Sequence, residues 1–427
     1  MPEMTLTADA IRGAIQRHGA AVTRALIEER AFTVTAMDAD RDGFVDELAL
    51  LPDLMSSLSG TQPLAGEPDT EILCVLPYNL GLWALIPLVN LLAGGNRVRL
   101  KLPRDCPASA RALQVLLREL VGSDHLVFDQ RPGPELLQHA LHDERCRGVC
   151  LYGSEGAGQA YDGVADEAGG IVLFEGPGNN PHIVLADAPA DVSEQLIVEK
   201  FAFFSGQACL APERLLVHTS RYDQVLEELT AGMQQLVVGE AADPDVVIGP
   251  IRYRPLRDRL VSQVEDAVSQ GGVVVHGGTG SGEWLPPTLI AGLTPSMRAT
   301  REEIFGPVLY AAPFDDAAEA IELAGLSPYG LGATVWGWEE ADAVATELKG
   351  EAYLEPVTAP AGGRFGCVDL NGTRRANSFN LPFGGYGLSG WVRVPAPDGD
   401  GSVLLQGPKH VAREFVRPQP MRKGSRV

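Results

Sequence analysis

The segment Ser205-Gly-Gln-Ala-Cys209-Leu-Ala-Pro-Glu-Arg214 holds the chain's first candidate for chemistry. A cysteine after a glycine-containing turn is a candidate nucleophile, because a thiolate attacks readily once its surroundings expose it and favour its charge. Alone the signal is weak, since a single cysteine is more often a buried, inert hydrophobe. Other clusters lead away from chemistry. Cys146 and Cys150 have a helical spacing, and no second ligand pair stands at zinc-site distance. His139 and His142 form His-x-x-His without the glutamate of a zinc-protease helix. Asp38, Asp40, Asp42 and Gly43 look like half of a calcium loop, but Ala49 stands where the bidentate glutamate is needed. No metal site is expected.

The elements that must position Cys209 follow from periodicity. Ile11, Ile15, Val22, Leu26 and Ile27 recur at helical spacing, and residues 8–60 read as helices. From residue 71 strands and helices alternate: strands over 71–77, 98–102, 126–128 and 148–152, with helices over 82–92, 108–121 and 134–141 between them. A glycine loop, Gly153–Gly158, follows the last of these strands. Such alternation is the signature of a parallel sheet covered on both faces. A second αβ unit follows, with a helix over 192–204, a strand over 214–218 and helices over 222–236 and 256–270. The end is rich in Pro, Gly and Asp over 394–402, then basic at Arg417, Arg422, Lys423 and Arg426, and reads as a loosely held tail.

Composition sets the outer limits. The 427 residues call for two or three domains, and 45% hydrophobic with 21% charged residues excludes a predominantly disordered chain. The formal charge of −22 argues against nucleic acid and anionic membrane surfaces as partners. Anionic cofactors stay compatible, because a few cations and backbone amides can build a local positive pocket. Six cysteines are too few for a disulfide scaffold, and no basic segment precedes an apolar one at the N-terminus, so reduced thiols and a cytoplasmic setting are expected. Residues 72–96 carry no charge, but Pro77, Asn79, Pro87, Asn90 and Gly94-Gly95 favour a buried strand–loop–helix over a membrane span.

Segment by segment, residues 71–391 resemble the aldehyde dehydrogenase family. The Cys209 segment resembles its nucleophile motif at Gly206, Gln207, Cys209, Ala211 and Arg214. Leu76-Pro-Tyr-Asn79 is similar to the family's Pro-Trp-Asn strand end, and Gly95-Asn-Arg-Val-Arg-Leu-Lys101 to its Gly-Asn-x-Val-x-x-Lys strand. Gly153, Ser154 and Gly158 fit its glycine loop. Phe174-Glu175-Gly-Pro-Gly178-Asn-Asn-Pro181 resembles the motif that carries the general base. Glu302-Glu303-Ile-Phe305-Gly-Pro307, Pro328-Tyr-Gly-Leu331 and Asn380-Leu-Pro382-Phe-Gly-Gly385 through Ser389-Gly390 resemble three later signatures. The segments keep the family's order and gaps.

The resemblance implies an α/β fold. A Rossmann-like parallel-sheet cofactor domain would span 1–176, an α/β catalytic domain 177–380, and a late loop and tail 381–427. It implies NAD(P)-dependent oxidation of an aldehyde to a carboxylic acid. An aldehyde has no leaving group, so oxidation requires a tetrahedral adduct able to expel hydride. Cys209 would form that adduct, Asn79 and the Cys209 amide would stabilise its oxyanion, and NAD or NADP would accept the hydride. Glu175 would activate water to hydrolyse the thioester. Lys101 and Glu303 would hold ribose hydroxyls, Phe305 would pack at the nicotinamide end, and Gly153, Ser154 and Gly158 would lie beside the pyrophosphate or nicotinamide. Arg104 stands where NAD-preferring relatives often carry Glu, and would pair a 2′-phosphate.

The sequence also departs from the family pattern. Asn79 arrives early, so residues 1–70 take the place of a longer region that helps build the cofactor domain and the oligomer arm. Phe204 replaces an asparagine, and Pro177 and Asn179 replace Gly and Lys in the base motif. Two other readings stay open: an acylating enzyme that uses CoA or a carrier thiol in place of water, against which Glu175 argues, and a non-catalytic relative kept as a scaffold. The aldehyde would be a small molecule meeting an apolar pocket around residues 80–83, Phe203, Phe204, Leu210 and the 353–380 loop, in a chain that forms a possible homo-oligomer.

Overall fold

The computed structural model describes residues 6–67, 69–79, 81–350, 355–356, 363–372, 378–397 and 401–418. Two sheets dominate. The first has eight strands, in the order Glu355–Pro356, Ser402–Gln406, Gly390–Pro395, Ile171–Glu175, Cys146–Tyr152, Glu71–Val75, Val98–Lys101 and Leu126–Asp129. Its five strands between residues 71 and 175 are parallel. Numbered along the chain they run 3-2-1-4-5, the Rossmann order, and the strand order reverses between Glu71–Val75 and Cys146–Tyr152. The strands are short and, apart from the half-buried edge strand Leu126–Asp129, largely buried, as expected where helices cover both faces.

The second sheet has seven strands, in the order Cys367–Leu370, Gly332–Trp336, Asn180–Val184, Pro212–His218, Val308–Phe314, Thr288–Ala291 and Val273–His276, with only the last antiparallel to its neighbour among these. Only Gly176–Asn179 separates Ile171–Glu175 in the first sheet from Asn180–Val184 in the second. The C-terminal edge of one sheet therefore meets the N-terminal edge of the other across a four-residue link.

The N-terminal region is helical, as its periodicity predicts. Ala8–Arg30 starts on Thr7, whose hydroxyl accepts from the Ala10 amide, and ends in a left-handed Ala31. Its inner face (Ile11, Ile15, Val22, Leu26) packs into the same apolar core as Leu113, Leu116 and Leu117 of the Pro107–Leu120 helix. Glu29 fastens the two helices. Its carboxylate accepts from the amides of Ala108 at 2.6 Å and Ser109 at 2.9 Å, and so satisfies donors that a helix start leaves open.

Asp38–Gly43 lies inside the helix Val34–Glu47 rather than between helices, and no metal-binding cluster occurs among the described residues. Two local expectations are corrected. Cys146 and Cys150 lie on a strand; a spacing of four keeps two residues on one face at a period of two as well as at 3.6. The segment expected as late loop and tail over 381–427 adds Gly390–Pro395 and Ser402–Gln406 to the first sheet. Its partner strand is distant in sequence, so no local signal marks the pairing. Arg422, Lys423 and Arg426 lie outside the described residues. The uncharged stretch 72–96 folds as strand, short helix and the buried helix Ile86–Ala93, and no helix among the described residues is long and apolar enough to cross a membrane.

Candidate active site

The predicted residues converge on the seam between the sheets. Asn79 lies just past the end of Glu71–Val75, Lys101 ends Val98–Lys101, Gly153 and Ser154 follow Cys146–Tyr152, and Glu175 ends Ile171–Glu175. All of them lie at the carboxyl ends of parallel strands, where open α/β sheets bind ligands. From the other side come Cys209, just before Pro212–His218, and Glu303 and Phe305, just before Val308–Phe314.

Cys209 sits behind a strained turn. Phe204, Ser205 and Gly206 all have positive φ, at 51°, 53° and 77°. Glycine takes this conformation freely, whereas for Phe204 and Ser205 it needs outside support. The Phe204 ring lies 4.6 Å from Phe32 and 4.4 Å from Phe203, and the Ser205 hydroxyl accepts from the Gly249 amide at 3.3 Å. A Cβ on Gly206 would fall 2.3 Å from the Gly306 carbonyl, so the turn requires glycine there on steric grounds too.

Backbone clamps then fix the nucleophile. Asn180 donates to the carbonyls of Cys209 at 2.8 Å and Ala211 at 3.0 Å, while its own oxygen accepts from Gly332. Arg214, 1% exposed, donates to the carbonyls of Asn179, Leu323 and Ala324. Asn179, in the place of the usual lysine, donates to Glu213 and to the carbonyls of Ala299 and Glu302, and so ties the base motif to the Glu303 loop.

The electrostatics are those of an acidic site with strongly buried carboxyls. Burial raises the Cys209 thiol well above its ordinary value, and Glu303 and Glu175 add to the rise. Glu303 is itself pushed up by burial and by Glu213, against the pull of Arg259 at 3.6 Å. Glu175 is pushed up to about 7 by burial, with Lys409 pulling the other way. Asn79 Nδ2 donates to the Gln207 carbonyl at 3.2 Å, and the Tyr78 hydroxyl reaches the Gln207 side chain at 3.2 Å. The predicted oxyanion donor thus lies against the nucleophile turn.

The residues present suit a dinucleotide. Lys101 uses one donor on its neighbour's carbonyl (Leu102, 2.8 Å), and its pKa is lowered by burial and by Arg104. Arg104 is exposed. Ser154 caps the Glu155–Tyr161 helix, and a Cβ on Gly156 would meet nothing within 4 Å, so the mouth of the loop is open. Gly158 differs, because a Cβ there would fall 2.7 Å from the Phe174 ring; this glycine lets the helix lie close on the sheet. Phe305 meets Tyr78 edge-on at 5.8 Å, making an aromatic wall.

Several neighbours had no signal in the sequence. Lys409 approaches Glu175 from the late segment. Arg30, from the first helix, lies over Tyr78 and donates to Cys106. Lys200 is buried against the Ile304 carbonyl, and its charge is felt by Glu213 and Glu303. All are brought in by tertiary packing. Of the predicted pocket wall, Trp83 and Phe203 meet edge-on at 6.5 Å and Leu210 is buried, while Leu80 and residues 353–354, 357–362 and 373–377 of the 353–380 loop lie outside the described residues.

Comparisons with known proteins give the family. The family model described as "Aldehyde dehydrogenase family" matches residues 9–399. The NADP(+) succinate-semialdehyde dehydrogenase 1 of Mycobacterium ulcerans is 31% identical over 337 residues, 78% of this chain and 70% of the relative. The corresponding NADP(+) enzyme of Mycobacterium avium is 31% identical over 333 residues, covering 77% and 67%. Among solved structures, succinic semialdehyde dehydrogenase from Streptococcus pyogenes with NADP+ superposes with a TM-score of 0.81 at 24% identity, covering 96% of this chain and 88% of that one. Aldehyde dehydrogenase C of Pseudomonas syringae, a mutant with NAD+ and octanal, gives 0.80 at 25% identity, covering 96% and 82%. Sequence, strand order and site geometry together place this chain in the aldehyde dehydrogenase family, among the NAD(P)-dependent oxidoreductases of aldehydes.

Proposed function

We propose that the chain oxidises an apolar aldehyde to its carboxylic acid through a covalent intermediate on Cys209. The observation that carries this reading is the convergence of Asn79, Cys209, Glu175 and Glu303 on one seam, with the Cys209 thiol electrostatically coupled to both carboxylates. Cys209 adds to the aldehyde carbon, and Asn79 and the Cys209 amide hold the developing oxyanion. NAD or NADP, when bound, would supply the acceptor for the hydride that leaves the adduct. Glu175 then takes a proton from water, which attacks the thioester and frees the acid. A working base near neutrality suits a carboxyl raised to about 7.

Lys101, Arg104 and Glu303 would hold the cofactor's ribose and phosphate groups, and Phe305 its nicotinamide end. Gly153 and Ser154 would flank the pyrophosphate, with Gly158 supporting their helix. The 1–176 region, completed by the late strands, would be the cofactor side, and 177–380 the catalytic side. Trp83, Phe203, Phe204 and Leu210 favour an aliphatic or aromatic aldehyde. All six cysteines are free, which supports a reducing, cytoplasmic setting. The terminal strand Val273–His276 exposes Val273, Val274 and Val275, which supports self-association into a homo-oligomer.

The test is an aldehyde panel, including octanal and succinic semialdehyde, followed by nicotinamide absorbance with NAD and NADP, with and without CoA. Turnover of the apolar aldehydes without CoA, lost in Cys209→Ala, is expected. Turnover that persists in Cys209→Ala would sink the mechanism, and an absolute need for CoA would favour the acylating alternative.

A further inference from the structure

Glu175 and Lys409 form an ion pair to which the reaction above gives no role. Nζ of Lys409 lies 2.9 Å from Oε1 of Glu175, with the two side chains 0% and 2% exposed. Charges at that depth persist only when paired, because neither has water to solvate it. Lys409 is pinned by reciprocal backbone bonds to Phe383, at 2.9 and 2.8 Å. Glu175 is pinned through its carbonyl, which accepts from Gly153, and through the pairing of Gly390 with its strand. Glycines fit around the pair: a Cβ on Gly384, whose φ is +119°, would fall 2.6 Å from both Glu175 Oε1 and Lys409 Nζ, and one on Gly390 would fall 2.8 Å from Nζ. The other titratable groups that feel the pair are Cys150, which feels both charges, Cys209, which feels the glutamate, and Glu414, which feels the lysine.

We propose that Lys409 is the positioning residue of the general base: it holds the Glu175 carboxylate ionised and in one pose, ready to take the proton of the deacylating water. The inference rests on the aldehyde-oxidation reading. In the step concerned, the water oxygen bonds to the thioester carbonyl carbon and the C–S bond breaks. Its electron pair returns to Cys209 as thiolate, and the water proton passes to Glu175. No oxidant enters, because hydride has already left. Burial favours the neutral acid and Lys409 the carboxylate, so removing the lysine's charge leaves the burial effect unopposed and moves the base's titration upward.

The experiment compares the unaltered enzyme with Lys409→Met, Lys409→Arg, Glu175→Gln and the Glu175→Gln/Lys409→Met pair, with NAD(P) and an accepted aldehyde. Both the first-turnover burst of reduced nicotinamide and the steady-state rate are followed against pH. A full burst is expected throughout, because the burst precedes deacylation. The acidic limb of kcat in Lys409→Met should rise by about one pH unit or more, lowering turnover near pH 7 about tenfold. Lys409→Arg should restore the limb, and Lys409→Met should take nothing further from Glu175→Gln. An unmoved limb, or an added loss in the Glu175→Gln background, overturns the proposal. If Lys409→Met alone fails to fold, the charge-neutral double variant decides in the same way. A missing burst in the unaltered enzyme counts instead against the aldehyde-oxidation reading.

Discussion

Asn79 Nδ2 donates to the Gln207 carbonyl at 3.2 Å, and this bond joins the end of a first-sheet strand to the nucleophile turn of the second sheet. In the proposed mechanism one amide would thereby serve twice, holding the turn and facing the oxyanion. Asn79→Ala should lower kcat about 100-fold, with a smaller effect on KM, because oxyanion donors act mainly in the transition state. Steady-state kinetics on the best aldehyde of the panel check this. An equal loss in Asn79→Asp would fit the donor role, and full activity in Asn79→Ala would remove Asn79 from the mechanism.

Arg104 stands exposed three residues beyond Lys101, close enough for its charge to lower the lysine's pKa. A 2′-phosphate would draw on both cations. Arg104→Ala should weaken NADP binding about tenfold and leave NAD binding nearly unchanged. Fluorescence titration with the two dinucleotides measures this. Tighter NAD than NADP binding in both forms would reject the assignment.

Gly178 touches the nucleophile's backbone. A Cβ there would fall 2.5 Å from the Cys209 carbonyl, a contact with main chain that no side-chain rotation relieves. Gly178→Ala should displace Cys209 by several tenths of an ångström and lower the burst rate about 100-fold, while circular dichroism stays native. A normal burst would show that the turn yields more easily than its clamps imply.

Asp40 is buried inside the second helix and accepts from the amides of Leu82 at 2.6 Å and Trp83 at 3.4 Å, just past Asn79. Burial pushes its carboxyl up to about 6, with the two amides opposing. The folded state thus holds the proton more tightly than the unfolded chain. The resulting stabilisation is present in full below about pH 4 and is lost as pH rises through about 6, leaving a deficit of about 3 kcal/mol at neutrality. Asp40→Asn should therefore raise Tm near pH 8 and converge with the unaltered protein near pH 4. Parallel melting curves across that range would contradict the assignment.

How much of this was legible depended on the range of the interaction. The strands over residues 71–175 announce themselves by local periodicity, and their strand-end residues are the ones that gather at the seam. Cys209, Glu175 and Asn79 were readable because each sits in a motif whose spacing is local. Lys409 was not, since its partner lies in a strand far back in the chain and nothing near it is unusual. Gly158 was readable as a glycine but not as a packing glycine, because only the Phe174 ring beneath it makes that distinction. At Asp38–Gly43 three acids at alternate positions suit a loop and only Ala49 spoke against one, while the helix around them is set by Met37, Phe44 and the core they enter.

The late strands bear on the order in which the protein is made. Gly390–Pro395 covers the edge of Ile171–Glu175, and Lys409 follows it in sequence. A nascent chain on the ribosome has the nucleophile turn and the base strand long before their cover emerges. Until then that strand presents open ladder groups, the kind of edge that invites pairing with other chains. Premature termination near residue 385 would accordingly yield an aggregation-prone species rather than a slow enzyme.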